Sequence, residues 1–558
     1  MSISRLKMVK VWMLLFNTVR FLRTKQVLYQ LYYRVRKPRL RPLTKPVLRQ
    51  VLFDWPAPCY GEPSTKDGRT FEFLGQVAQL EEEWNSHEFS KLWLYNLHYQ
   101  NDLNLIDSSS HPQLGIRMID TWIKGNPPMY GNGWEPYCIS LRIINWVKFF
   151  SRLGTEQVND KWLESLAVQA DALEQQLEFH ILANHLFTNA KALVFVGSYL
   201  GGDQGNRWLR VGLELLDREL HEQFLGDGAH YERSPMYQGI LLWDIADLIM
   251  LSQQSKLPSL EHRLKEWSRC FSLGLDWLVN MSHPDGSISF FNDAAFGISP
   301  EIELLKQYAL LLGLPVVEPA MPVKVHGKLM RESGYGIVEW PNGHRLLADL
   351  ALVGPDYQPG HAHADTLSCE VSLFGCRVLV NSGISEYGES SERHRQRSTA
   401  AHNTVEVDRE NSSEVWSGFR VARRARPYNV SLMMRSEEVI IEGSHDGYCR
   451  LPGKVIHHRR WSAKKSRLFV EDRLSGSYTM ACAHWHFHPH ITIKREEENR
   501  FILTLPNGKN VRVSPTGGTT MLLDSTWHPK FGVSIPNKKL VVVAQDSNMT
   551  LRLDWNVV

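Results

Sequence analysis

Four short segments concentrate residue types capable of acid–base or metal chemistry. The first, Ala183 to Ala190, sets Asn184 and His185 inside an otherwise apolar helical run. Polar groups there need partners, so the pair either satisfies the core or faces a ligand. The second, Asp227 to Tyr237, contains Tyr231, Glu232 and Arg233, followed by Ser234-Pro235 and a long apolar-periodic run. Ser then Pro reads as N-cap and first position of a helix, which puts Tyr237 in its first turn. The positive end of the helix dipole favours an ionised phenol there, as a tyrosine base requires. An aromatic packed at a helix start is the alternative.

The third segment, Gly360 to Asp365, alternates His361, His363 and Asp365 with small residues before an apolar strand. If the strand extends back over them, all three share one face, suited to zinc or to a positioned proton-transfer histidine. The fourth carries Asn381, Tyr387, three alternating arginines (Arg393, Arg395, Arg397) and the pair His402-Asn403. Such a surface could hold an acidic ligand through bidentate pairs, or be a solvated basic loop. Aromatic and amide groups around Trp93 to Tyr99 and Trp134 to Tyr137 could stack on sugars or pack at helix ends. No phosphate-binding glycine loop, dinucleotide fingerprint or serine elbow occurs.

The elements that must position these groups change character along the chain. From about Gln76 to Gly313 apolar residues recur at three and four, with short loops, which predicts a helical array or toroid. After Leu314 short alternating strands separated by Gly, Asn and Asp turns take over, with Asn507-Gly508 a hairpin signal. Helices followed by strands predict an α+β chain with segregated domains: a basic helical leader over 1–75, a toroid over 76–320 and an antiparallel β-sandwich over 321–558. Prolines 315, 319 and 322 suit the boundary, and a site is expected where the two large domains meet.

Composition narrows the classes of function. The chain has 558 residues, 63 Lys/Arg and 60 Asp/Glu. Residues 1–53 hold 13 of the basic residues and none of the acidic ones, so the remainder is net acidic. A net-acidic body without a recognition motif argues against nucleic acid. Seven scattered cysteines without a CxxC pair fit a reducing compartment. The apolar segment from Val11 lacks a small-residue cleavage site and is followed by Arg20, Arg23 and Lys25, so it reads as an uncleaved leader. That leader would either dock on the body or lie on anionic lipid, with docking favoured by Tyr29, Leu31, Tyr32 and Tyr33.

Together the motifs Asn184-His185, Glu232 to Tyr237, Gly360 to Asp365 and Arg397 to Thr404 resemble those of the heparinase II/III-like polysaccharide lyase superfamily. The resemblance spans roughly Trp93 to His488. It implies an N-terminal (α/α) toroid and a C-terminal antiparallel sandwich. It further implies β-elimination at a uronic acid: Asn184 and His185 neutralise the uronate carboxylate, and Tyr237 and His361 exchange protons with C5 and O4. Trp134, Glu232, Tyr387, Arg393, Arg397 and His402 are expected at the substrate. No redox cofactor is implied. A structural zinc on His363 and His402 is, but its third ligand would fall at Asn381, and a neutral amide is a poor zinc ligand. The subgroup resembled belongs with bacterial surface-polysaccharide genes, which implies a cytoplasmic protein, peripheral to the inner membrane if the leader contacts lipid, acting on an acidic glycan. The same residues admit a metal-assisted hydrolase using His361, His363, Asp365 and His402, or a non-catalytic glycan-binding protein.

Overall fold

The computed structural model describes residues 3–49, 54–80, 83–105, 112–316 and 320–555, with side chains from residue 8 onward. The helical region runs from Lys91–Tyr99 through Pro112–Gly125, Pro136–Leu153, Asp160–Glu174, Ala183–Tyr199, Gly202–Gln223, Pro235–Ser255 and Leu264–Asn280 to Ile302–Leu311. Ala183–Tyr199 and Pro235–Ser255 are apolar on nearly every side and buried along almost their whole length. Gly202–Gln223 and Leu264–Asn280 bury one stripe each. Helices buried all round therefore form an inner layer, and two-faced helices shield them from water. Glycine sets the closest crossing: a Cβ on Gly197 would meet the Leu209 backbone nitrogen at 2.5 Å.

The C-terminal half is antiparallel β. A five-stranded sheet in sequential order spans His326–Met330 to Cys376–Leu379. A four-stranded sheet includes Val405–Val407 and Ala481–His486, and an eight-stranded sheet covers the other side of a core containing Val371, Trp461, Val470, Trp485 and Val542. The predicted hairpin at Asn507-Gly508 joins Arg500–Thr504 to Asn510–Thr516, with Gly508 at φ 78° supplying the turn. The architecture is thus a helical toroid followed by a β-sandwich. Leu347, Val380, Ile384 and Trp527 of the sheet half belong to the same hydrophobic cluster as the toroid, so the two halves share a core.

Two local expectations change, and the passage from helices to strands falls near the linker prolines. Residues 76–79 are not helical but pair with Thr70–Phe73 in a hairpin straddling residue 75, and Phe73 packs edge-on against Trp93. The strand does not extend back over His361 but begins at Cys369, leaving Gly360 to Asp365 as a loop. The last helix of the toroid ends at Leu311 and the next strand starts at His326; of the three linker prolines, Pro319 lies outside the described residues.

The leader docks in part. In its second helix, Thr24–Val35, Gln26 donates to the Tyr357 carbonyl, Tyr33 donates to the Leu177 carbonyl and the Tyr29 ring meets Phe179. Downstream, Arg41 pairs with Asp171 and Glu174, and Lys45 with Asp160. Leu31 and Tyr32, expected to pack, are exposed.

Candidate active site

Side chains from both halves meet at one place. Ser234 caps Pro235–Ser255, with Pro235 in the first turn, and its Oγ accepts the Tyr237 N–H. Tyr237 therefore stands in the first helical turn, as the sequence predicts. Its ring stacks on the His361 imidazole, with centroids 3.9 Å apart, and its hydroxyl lies 2.9 Å from that of Tyr387. The helix dipole does not decide its ionisation. Burial, Tyr387 and the nearby Asp293 push its pKa well above the usual phenol value, so the resting hydroxyl is protonated. The expectation of an easily ionised phenol is corrected accordingly.

Sequence reasoning missed the residue that organises the site. Asp293 Oδ2 holds His361 Nδ1 and Oδ1 holds His363 Nε2, each at 2.8 Å. Arg393 engages both oxygens in a bidentate pair. Burial would raise the Asp293 pKa, but Arg393 and the two histidines hold it well below the ordinary carboxylate range. As an anion it accepts the His361 Nδ1–H, leaving the Nε2 lone pair facing outward. Asp293 follows Asn292 in a loop between apolar residues, the same signal that flagged Asn184-His185. Asn292 ties this loop down by donating to the Arg233 carbonyl and accepting the His363 N–H. Arg233, Asn292 and Ala183, each next to or one residue from a site residue, all have φ near +55°. Left-handed non-glycine backbone costs energy and tends to gather where geometry is functionally constrained.

Opposite His361 lies Glu232. Its buried carboxylate has no hydrogen-bonding partner on either oxygen, and Oε2 is 3.7 Å from His361 Nε2. Burial raises its pKa, opposed by His361 and His185. Asn184 is buried with its side-chain oxygen unpartnered, and His185 Nδ1 is 2.9 Å from Glu178. Burial lowers the His185 pKa, but the Glu178 carboxylate outweighs it and the net shift is upward.

Other expected contacts are corrected. Arg393 is fully buried on Asp293, while Arg397 is fully buried and donates to the carbonyls of Ala362, Ser417 and Gly418. Their donors are spent on the fold, so neither is free for a glycan. Arg395 pairs with Glu392. Trp134 is packed against Trp122 and donates its indole N–H to the Asn126 carbonyl, which makes it interior packing. His402 is buried, with Nδ1 on the Ser398 carbonyl and Nε2 3.0 Å from His363 Nδ1, so it does not reach substrate. Tyr387 is half-buried, its ring against Phe419 and Phe531.

The metal reading also shifts. His363, Asp365 and His402 offer donor atoms within 4.8 Å of one another. Asn381 lies apart: its backbone N–H donates to Glu370 and its Oδ1 accepts the Asn403 N–H. Asp365, and not Asn381, thus offers the third donor atom of this group. With His363 Nε2 donating to Asp293 and His402 Nδ1 to a carbonyl, the two remaining nitrogens face each other as lone pairs. Two nitrogens at that distance need a proton or a metal cation between them, and two imidazoles with a carboxylate suit zinc.

Comparisons with known proteins agree with this architecture. The family model for the heparinase II/III N-terminus matches residues 113–310, and the heparinase II/III-like C-terminal model matches 322–556. A heparin-sulfate lyase of Bacteroides stercoris is 22% identical over 464 residues, covering 77% of this chain; the match spans 64% of that relative's length. Among solved structures, a heparinase III has a TM-score of 0.68 at 16% identity, covering 96% of this chain and 90% of its own. A heparan sulfate lyase from Pedobacter heparinus has a TM-score of 0.56 at 16% identity, covering 95% and 87%. With both family models in sequence order over a shared toroid–sandwich fold, the chain belongs to the heparinase II/III-like superfamily.

Proposed function

We propose that the protein is a polysaccharide lyase that cleaves a uronate-containing glycan by β-elimination. The observation that carries this reading is the stacked Tyr237–His361 pair at the junction of toroid and sandwich, with Glu232 3.7 Å from His361 and His185, next to Asn184 in the chain, near enough to act on the Glu232 carboxyl. The C5 proton of a uronate leaves only when the adjacent carboxylate charge is offset. His185, kept cationic by Glu178, and the Asn184 amide offset it. Burial raises the pKa of Glu232, which eases the approach of the same carboxylate to it. His361 Nε2 removes the C5 proton as base. As the C4–O4 bond breaks, Tyr237 donates its hydroxyl proton to O4, and a C4=C5 double bond remains. The imidazolium then returns a proton to the phenolate stacked on it, which restores both groups.

A metal ion on His363, Asp365 and His402 would supply structural rigidity through Asp293. These donors are at most 3% exposed, which argues against the metal-assisted hydrolase because a glycan and a water must both reach the metal. Heparin-type glycosaminoglycans are the substrate class that the relatives' names suggest. The seven free cysteines and the exposed basic arm support a narrower setting, a cytoplasmic lyase beside assembly of a bacterial surface polysaccharide.

The test is ultraviolet absorbance of the conjugated unsaturated uronate, with acidic glycans as substrates and Tyr237→Phe as control. Absorbance that rises with wild type and not with the variant is expected. Cleavage without the double bond would overturn elimination.

A further inference from the structure

Among the described residues, the first helix, Ile3–Val19, contacts the body at its C-terminal end. Asn17 is buried, the Trp416 indole N–H donates to Thr18 Oγ1 at 3.0 Å, and Arg424 covers the following Phe21 ring at 4.0 Å. Before that contact Met8, Val9, Val11, Trp12, Met13 and Phe16 stand exposed, Trp12 by 67% and Phe16 by 69%. Lys10 is the only charge between residues 8 and 19. At 100° per residue these side chains cover one broad arc of about 200°, with Lys10 and Asn17 on the opposite face, so an apolar side wider than half the helix faces water. An apolar surface of this kind marks an interaction site.

The charge around it selects the partner. Lys10, Arg20, Arg34, Arg36, Lys37 and Arg39 are exposed, and none forms an ion pair among the described residues. Residues 1–53 contain no acidic side chain. A second copy would bring like charges together. Apolar side chains flanked by unpaired cations instead match a bilayer with anionic headgroups: the former enter the acyl boundary and the latter meet phosphate. No helix among the described residues is long and apolar enough to cross a membrane, so the contact is interfacial.

We propose that Ile3–Val19, with the exposed edge of Thr24–Val35, seats the protein on an anionic lipid surface. This seat adjoins the candidate active site. The helix ends on the strand pair Val415–Trp416 and Arg420–Val421, whose connection carries Phe419, 6.0 Å from the His361 ring and 5.3 Å from that of Tyr387. A bilayer-seated arm therefore holds the cleft close to the membrane. Lipid binding does not depend on which reaction the cleft performs.

The experiment is co-sedimentation of the full chain with phosphatidylcholine vesicles, with and without phosphatidylglycerol. Wild type sediments with the anionic vesicles, less so at high salt. Trp12→Ser with Phe16→Ser abolishes binding. Lys10→Gln with Arg20→Gln weakens it by about 25-fold, about fivefold per cation. Thermal unfolding, unchanged in both variants because these side chains are exposed, shows that each is folded. Failure of wild type to bind anionic vesicles, or equal binding by wild type and the Trp12/Phe16 variant, overturns the assignment. Self-association that the same variant abolishes, without vesicle binding, gives the face to a second copy and overturns it too.

Discussion

Asp293 and His361 come from opposite halves of the molecule and meet at 2.8 Å between Oδ2 and Nδ1. The aspartate lies in the loop after the helix Leu264–Asn280, and the histidine precedes the sheet strand Cys369–Leu373. The bond fixes the histidine tautomer, so the basic nitrogen is held at Nε2 only when toroid and sandwich are joined.

Asp293→Asn tests that dependence. An amide cannot accept protons from both imidazoles and also neutralise Arg393, which is fully buried. By analogy with other carboxylate–histidine pairs, turnover should fall about 10⁴-fold. The unpaired buried arginine should cost about 3–5 kcal/mol, read by chemical denaturation. Arg393→Met removes the charge yet leaves both histidine bonds, and should lose stability with a smaller loss of turnover. Equal turnover losses would make Asp293 purely architectural.

Tyr237→Phe should lower kcat by about 10²- to 10⁴-fold as the proton donor to O4 is lost. Tyr387→Phe removes only the partner of that hydroxyl, and so should cost less. Both variants should keep stability within about 1–2 kcal/mol, because only one hydrogen bond is at stake. A larger turnover loss in Tyr387→Phe would exchange the two roles.

Much of this site was readable from residue order because its pieces are local. Ser234-Pro235 dictates a helix start, and that start places Tyr237. The alternation in Gly360 to Asp365 announced two histidines and a carboxylate, although the strand thought to align them begins only at Cys369. What could not be read is pairing at long range. Arg393 lies beside Tyr387 and His402 in sequence, yet its charge is spent on Asp293, 100 residues away. Asp365 rather than Asn381 joins the donor group of His363 and His402 because folding of the loop, not strand spacing, brings its carboxylate to His402. Burial is equally invisible in one dimension, and it reverses the expected behaviour of the Tyr237 phenol.

The His185–Glu178 pair predicts a pH dependence of stability. His185 has a folded pKa above its ordinary 6.5, so its stabilising contribution is complete below that value and is lost as pH rises through the folded pKa. Glu178 is depressed below 4.5 by His185 and Asn189 against the effect of burial, so its contribution is present above that value and lost in acid. Thermal melts of wild type and His185→Gln should differ most between these two values and converge as pH rises above 6.5. A difference constant across the range would show that the pair is uncharged.

Elemental analysis should find one zinc per chain held by His363, Asp365 and His402. Chelation should lower the unfolding temperature of wild type and leave that of His402→Ala unchanged. Asn381→Ala should retain the metal, because Asn381 lies outside the cluster. Loss of zinc in Asn381→Ala with retention in Asp365→Asn would restore the ligand set expected from sequence.

The two parts of the leader should separate on truncation. Removing residues 1–22 deletes the exposed first helix and the few contacts at its end, Asn17, the Thr18–Trp416 bond and Phe21 under Arg424, so the unfolding temperature should move little. Removing residues 1–49 also takes away Arg41, leaving the buried carboxylate of Asp171 with only the longer 3.8 Å ion pair to Arg207, and exposing the Phe179 ring covered by Tyr29. Loss of a partner from a buried or half-buried pair costs about 3–5 kcal/mol at full burial, and less here because Arg41 is 39% exposed. A drop of several degrees or an insoluble product is therefore expected for the longer deletion only. Equal behaviour of the two truncations would mean that Arg41 and Tyr29 add nothing to the toroid, and that the whole leader, not only its first helix, is a detachable arm.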